Sequence, residues 1–201
     1  MKETPIQRVC HIMARLRAPD GCPWDQEQNH HSLRFHAVEE VYELIDAIEM
    51  ENDGEMREEL GDLLLQVIFH CQLAHERKAF DFDNVCNELA DKLVRRHPHV
   101  FAATDGQRVS ASEVKERWEQ IKGEERQQKN QKGTLDDIPK ALPALSRSQK
   151  LQKRAAGVGF DWSELDAVRE KVDEELGELA EAVSEGDSAA IESEVGDIFL
   201  A

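Results

Sequence analysis

Displaced by 135 residues, this 201-residue sequence overlays on itself without a gap. Glu39, Glu40 and Glu43 fall on Glu174, Glu175 and Glu178. Glu59, Gly61 and Asp62 fall on Glu194, Gly196 and Asp197, and Leu63-Leu64-Leu65 falls on Ile198-Phe199-Leu200. The "GCPWD" of residues 21–25 has a looser echo in the "GVGFDW" of residues 157–162. Two copies of one unit must build the same elements around the same kind of core. The second copy stops shortly after Asp197, so it is expected to be incomplete in this chain.

The repeated unit reads as helices. Residues 5–17 are amphipathic and are closed by Ala18–Pro23. In residues 33–51, Val41, Leu44, Ile45 and Ile48 recur at i, i+3, i+4 and i+7, one face of a helix. Glu51–Gly54 is a turn. Residues 55–77 are apolar almost all round through Leu60, Leu63, Leu64, Leu65, Val67, Ile68 and Phe69, the pattern expected of a buried helix. Residues 82–96 form another helix, stopped before Pro98. Ser110 and Glu113 have capping-box spacing and open a helix running to about residue 129. The expected fold class is all-α, as tandem helical-bundle domains. The first domain covers 1–129, a polar linker 130–145, and the N-terminal part of the second 146–201.

Composition agrees and narrows the function. Lys, Gln, Glu, Ala and Leu are abundant and β-branched runs are almost absent, which favours helices. The formal net charge of −17 repels nucleic-acid backbones, so no nucleic-acid partner is expected. No run approaches the roughly eighteen apolar residues of a membrane span, and the N-terminus lacks the apolar stretch of a signal peptide. Cys10, Cys22, Cys71 and Cys86 form no CxxC pair. The expectation is a cytoplasmic protein with free thiols and no membrane partner.

Acids stand where a core should be. Glu40 and Glu43 are three apart and share a helical face, as do Glu59 and Asp62. The turn between their helices makes an antiparallel hairpin. At about 1.5 Å per residue the two pairs lie roughly 16 and 12 Å from that turn, nearly level. Four carboxylates therefore converge beside apolar stripes. Gathering like charges away from water costs free energy unless they are protonated or bind cations. All-oxygen donors suit Mg²⁺, with Mn²⁺ as a substitute. Iron carboxylate bundles would add a His three residues after a ligating acid, and none of these four acids has one. A single ExxE reads as an ordinary solvated face. Two such pairs, repeated with the same spacing, point to a site.

Cations follow in the first copy. Lys92 and Arg96 share a helical face, with Arg95 beside them. They read either as compensation of the helix C-terminal dipole or as phosphate ligands. Trp118 and Lys122 stand one turn apart, as a core anchor with its neighbour or as a nucleotide contact.

With "EEVYE" and "EELGD", "GCPWD", "DKLVRRHPHVF", "RWEQIK" and the tandem repeat, the chain resembles the MazG family of nucleoside triphosphate pyrophosphohydrolases, of the all-α NTP pyrophosphatase group. The resemblance spans nearly the whole chain. It implies two tandem helical domains, a homodimer, and Mg²⁺-dependent cleavage of nucleoside triphosphates to the monophosphate and pyrophosphate. It implies broad nucleotide substrates, the housecleaning of unwanted nucleotides and a link to starvation signalling. By motif, Glu40, Glu43, Glu59 and Asp62 hold metal in the first copy, and Glu175, Glu178, Glu194 and Asp197 in the second. Lys92, Arg95 and Arg96 meet phosphates, and Trp118 and Lys122 border the nucleotide. Glu39, next to the ligands, is placed to take a proton from the attacking water. The second copy has no counterparts of Lys92, Arg96, Trp118 and Lys122 within this sequence. The competing reading is a catalytically weak nucleotide-binding or regulatory helical dimer.

Overall fold

The computed structural model describes residues 2–102, 110–128, 133–136, 138–162 and 164–200, and every regular element among them is helical. The chain divides into two compact units, Met1–Arg108 and Val109–Ala201. The first holds α1 (Pro5–Leu16), α2 (Pro23–Glu27), α3 (Arg34–Glu49), α4 (Asp53–Glu76), α5 (Phe82–Arg96) and α6 (Pro98–Phe101). The second holds α7 (Ala111–Gln128), α8 (Ala144–Ala156), α9 (Leu165–Glu185) and α10 (Ser188–Leu200). By compactness, the helix that opens at Ser110 groups with the second unit rather than with the six helices before it.

Local chemistry sets the helix starts. Thr4 and Gln7 form a capping box at α1, and Asp81 and Asn84 form one at α5. Ser110 and Glu113 form the box expected from their spacing, with Ser110 N–H donating to Glu113 Oε2 at 2.8 Å. Asn52 Oδ1 accepts from the Gly54 and Glu55 amides to start α4. Each such cap satisfies backbone donors that the helix itself leaves open.

In the first unit α3 and α4 form the most extensive pairing, and α1 and α5 also pack on α4. Met13 of α1, Leu33, and Ile68, Phe69 and Leu73 of α4 make the buried core, with Ile6, Cys10 and Phe82 against it. Arg17 locks the segment after α1 to the end of α4. Its guanidinium forms a fork to Glu76 at 2.6 and 2.7 Å, donates to the Asp25 and Gln28 carbonyls, and lies 5.5 Å from the Phe69 ring centre. Gly21 lets the chain turn back on α1, because a Cβ there would stand 2.1 Å from the Leu16 carbonyl oxygen. In the second unit α9 and α10 form the matching hairpin, and α8 packs on α10.

The expectation of a fully buried helix over residues 55–77 is corrected. Ile68, Phe69, Cys71, Leu73 and Ala74 are buried, but Leu60, Leu64, Leu65 and Val67 are 36–50 % exposed. The reason is coverage. Met13 and its neighbours on α1 reach only the later turns of α4, and the earlier turns have α3 along one side. Val41, Ile45 and Ile48 of α3 are exposed beside them.

Candidate metal centre

The α3–α4 hairpin brings the first set of acids together. One carboxylate oxygen from each of Glu40, Glu43 and Glu59 lies within 4.8 Å of the other two. Glu40 and Glu59 are half-buried and Glu43 is exposed. Asp62 lies outside this tightest triad but within its field. Burial first, then the charges of Asp62 and Glu43, raise the Glu40 carboxyl above its ordinary range. Burial, then Glu43, Asp62 and Glu40, raise Glu59 in the same direction. Gln66, one turn beyond Asp62, is buried and donates its amide to Glu40 Oε1 at 3.3 Å. Glu39 is exposed, and its carboxylate lies 3.6 Å from His36 Nδ1.

The second hairpin repeats the arrangement. Oxygens of Glu175, Glu194 and Asp197 lie within 4.8 Å of one another, with Glu175 buried and the other two half-buried. Here Glu178 is the acid outside the triad. Burial, Glu178, Asp197 and Glu175 together raise Glu194. One feature is new. Lys171 Nζ sits 2.7 Å from Glu175 Oε1 and 3.1 Å from Glu174 Oε1, and these two carboxylates hold its pKa above the ordinary lysine value.

Both clusters fit a hard divalent cation. Their donors are carboxylate oxygens only, drawn from two adjacent helices, and their like charges repel one another. In the first, the Gln66 carbonyl oxygen beside Glu40 is also buried and has no hydrogen-bond partner among the described residues. The chain matches the MazG nucleotide pyrophosphohydrolase domain over residues 28–101 and 164–201, segments that contain all eight of these acids.

This chain belongs to the MazG family. It is 52% identical over 201 residues to the nucleoside triphosphate pyrophosphohydrolase of Escherichia coli K12, covering 98% of this chain and 75% of that protein. It is 45% identical to the nucleoside triphosphate pyrophosphohydrolase/pyrophosphatase MazG of Thermotoga maritima, covering 100% of this chain and 75% of that one. A nucleoside triphosphate pyrophosphohydrolase of Mycolicibacterium smegmatis is 41% identical over 151 residues. Divalent-metal use accords with the family and with the carboxylate clusters.

The remaining residues singled out in the MazG sequence lie on two helices. Lys92, Arg95 and Arg96 occupy the last turns of α5, with Lys92 and Arg96 half-buried and Arg95 exposed. Trp118 and Lys122 lie on α7 in the second unit. Lys122 Nζ stands 5.7 Å from the centre of the Trp118 ring, a cation–π contact within the helix.

Two residues of this MazG site escaped the sequence reading. Gln66 follows Asp62 by four and Glu59 by seven, so helical spacing alone would have set it on the acidic face. Lys171 precedes Glu175 by four, a spacing at which a basic and an acidic side chain meet. Among the described residues, no helix is long and apolar enough to cross a membrane.

Proposed function

We propose that this chain hydrolyses nucleoside triphosphates to the monophosphate and pyrophosphate with Mg²⁺, for which Mn²⁺ can substitute. The observation that carries the reading is the meeting of Glu40, Glu43 and Glu59 within 4.8 Å across two helices. The names of the relatives support the reaction class.

Glu40, Glu43, Glu59 and Asp62 would hold the metal in the first copy, and Glu175, Glu178, Glu194 and Asp197 in the second. Bound there, the metal supplies charge neutralisation along the polyphosphate and a more acidic water. The protein's own groups do the rest. Glu39 is solvent-facing and adjoins Glu40, so it takes the proton as the water oxygen bonds to the α-phosphorus. The bond from that phosphorus to the α–β bridging oxygen breaks, and pyrophosphate leaves with the electron pair. Lys92, Arg95 and Arg96 neutralise the charge that builds on pyrophosphate. Trp118 and Lys122 offer an aromatic face and an ammonium to the nucleoside.

The reading places the enzyme in the cytoplasm, clearing unwanted nucleotides from the pool. It also makes the protein a homodimer, because the exposed apolar rows of α3 and α4 gain cover from a second copy. Pyrophosphate release from several ribo- and deoxynucleoside triphosphates tests it, with Glu40→Gln and Glu175→Gln compared side by side. Loss in one variant assigns turnover to that copy. Full turnover in both variants rejects the metal assignment. A metal- and nucleotide-dependent rise in melting temperature without turnover favours a nucleotide-binding regulator instead.

A further inference from the structure

The 135-residue repeat sets Lys171 opposite His36, Glu174 opposite Glu39 and Glu175 opposite Glu40. The two copies differ in what their deepest glutamate touches. In the first, Glu40 accepts from the neutral amide of Gln66 at 3.3 Å, and the His36 ring turns to Glu39. In the second, the Lys171 ammonium sits 2.7 Å from Glu175 Oε1. That pair is shielded: the Glu175 side chain is 7 % exposed and the Lys171 side chain 33 %. No basic side chain holds Glu40 in this way among the described contacts.

We infer that Lys171 is a built-in counter-ion of the second carboxylate cluster, and that it makes this cluster bind a divalent cation more weakly than the first. The inference rests on the metal-binding reading above. A cation entering the second cluster must share with Lys171 a Glu175 carboxylate whose charge is already neutralised. The ammonium, one helical turn away, repels the newcomer. The first cluster has only its own repulsion to relieve, which favours the cation. A single positive charge at this distance, partly screened by water, weakens binding by at least about tenfold. The two copies then load at different levels of free metal, the first before the second.

The test uses the full chain and Mn²⁺ alone, with free ion counted by electron paramagnetic resonance. A Glu40→Gln/Glu59→Gln background reads the second cluster, and a Glu175→Gln/Glu194→Gln background reads the first. The first cluster is expected to bind about tenfold more tightly. Lys171→Met and Lys171→Gln should each tighten the second cluster by a similar factor, with helicity unchanged by circular dichroism. His36→Lys should weaken the first. Equal affinity of the two clusters overturns the inference. So does a second-cluster dissociation constant that stays within about twofold, or rises, in both Lys171 variants. Failure of the unmodified chain to bind Mn²⁺ at all overturns instead the metal reading beneath it, and this inference falls with it.

Discussion

Glu51 and Gly186 hold the same place in the two hairpin turns, and both have left-handed backbone, with φ of 52° and 71°. The next residue in each turn, Asn52 or Asp187, caps the following helix through its side chain. The repeat therefore extends to backbone conformation. Only glycine adopts that conformation without a Cβ penalty.

Glu51→Gly should thus stabilise the first unit by about 0.5–1 kcal/mol, the left-handed relief outweighing the added freedom of the unfolded chain. Gly186→Ala should destabilise the second by about 1 kcal/mol, because no Cβ clash exists there and the cost is backbone strain alone. Chemical denaturation of the two variants against the parent measures both.

Arg17 is a single side chain with four partners, and only 8 % of it is exposed. Arg17→Met should cost about 2–4 kcal/mol, since it strands Glu76 and two carbonyls. The hydrogen bond from Arg17 is the main cause that holds the Glu76 carboxyl below its ordinary value of 4.5. A depressed carboxylate pKa gives stability that is present above about 4.5 and lost as pH falls through the folded value. The difference in stability between the parent and Arg17→Met should therefore shrink at low pH, as read from denaturation midpoints.

His30 and His70 stack with ring centres 5.1 Å apart, and their Nδ1 atoms lie 2.8 Å apart. Burial, then the neighbouring ring, lowers His70 below its ordinary 6.5. Protons thus bind the unfolded chain more readily than the folded one. Stability linked to His70 is present above pH 6.5 and lost as pH falls through the lowered folded value. His70→Gln should flatten the fall of melting temperature between about pH 6.5 and 5. An unchanged slope would show that the pair is not a determinant of acid stability.

The acid cluster runs in the opposite sense. Glu40 and Glu59 are raised above 4.5 in the folded protein. Their stabilising contribution is full below about 4.5 and lost as pH rises through the raised values. At neutral pH the charged cluster therefore strains the fold, and a divalent cation should relieve it. In chelator, Glu40→Gln/Glu59→Gln should melt at or above the parent. Saturating Mg²⁺ should raise the parent by several degrees and the double variant, which keeps only the second cluster, by clearly less. Equal Mg²⁺ shifts in both proteins would contradict the assignment.

Much of this was legible in the sequence, for physical reasons that can be named. Val41, Leu44, Ile45 and Ile48 marked one helix by period, and Ser110 with Glu113 marked another by capping chemistry. Glu40, Glu43 and Glu59 were placed together because spacing along two helices of a hairpin fixes depth. The reading failed at α4, where apolar composition on all sides suggested full burial. Leu60 and Leu64 are exposed because burial depends on which neighbours arrive, and period does not encode that. Asp62 and Glu178 fell just outside their triads for a similar reason. Helical spacing sets the face a carboxylate shares but not which oxygens converge to a few ångströms. Arg17 joins residues 59 positions apart, beyond the reach of any local pattern.

The most direct test of the central claim is release of monophosphate and pyrophosphate from a deoxynucleoside triphosphate in Mg²⁺, by the unmodified chain and by a Glu59→Gln/Glu194→Gln variant of equal helicity. The account predicts Mg²⁺-dependent turnover in the first and a loss of at least about 100-fold in the second. Turnover in the variant at the parent's rate, or turnover by the parent that is indifferent to chelator, would contradict it.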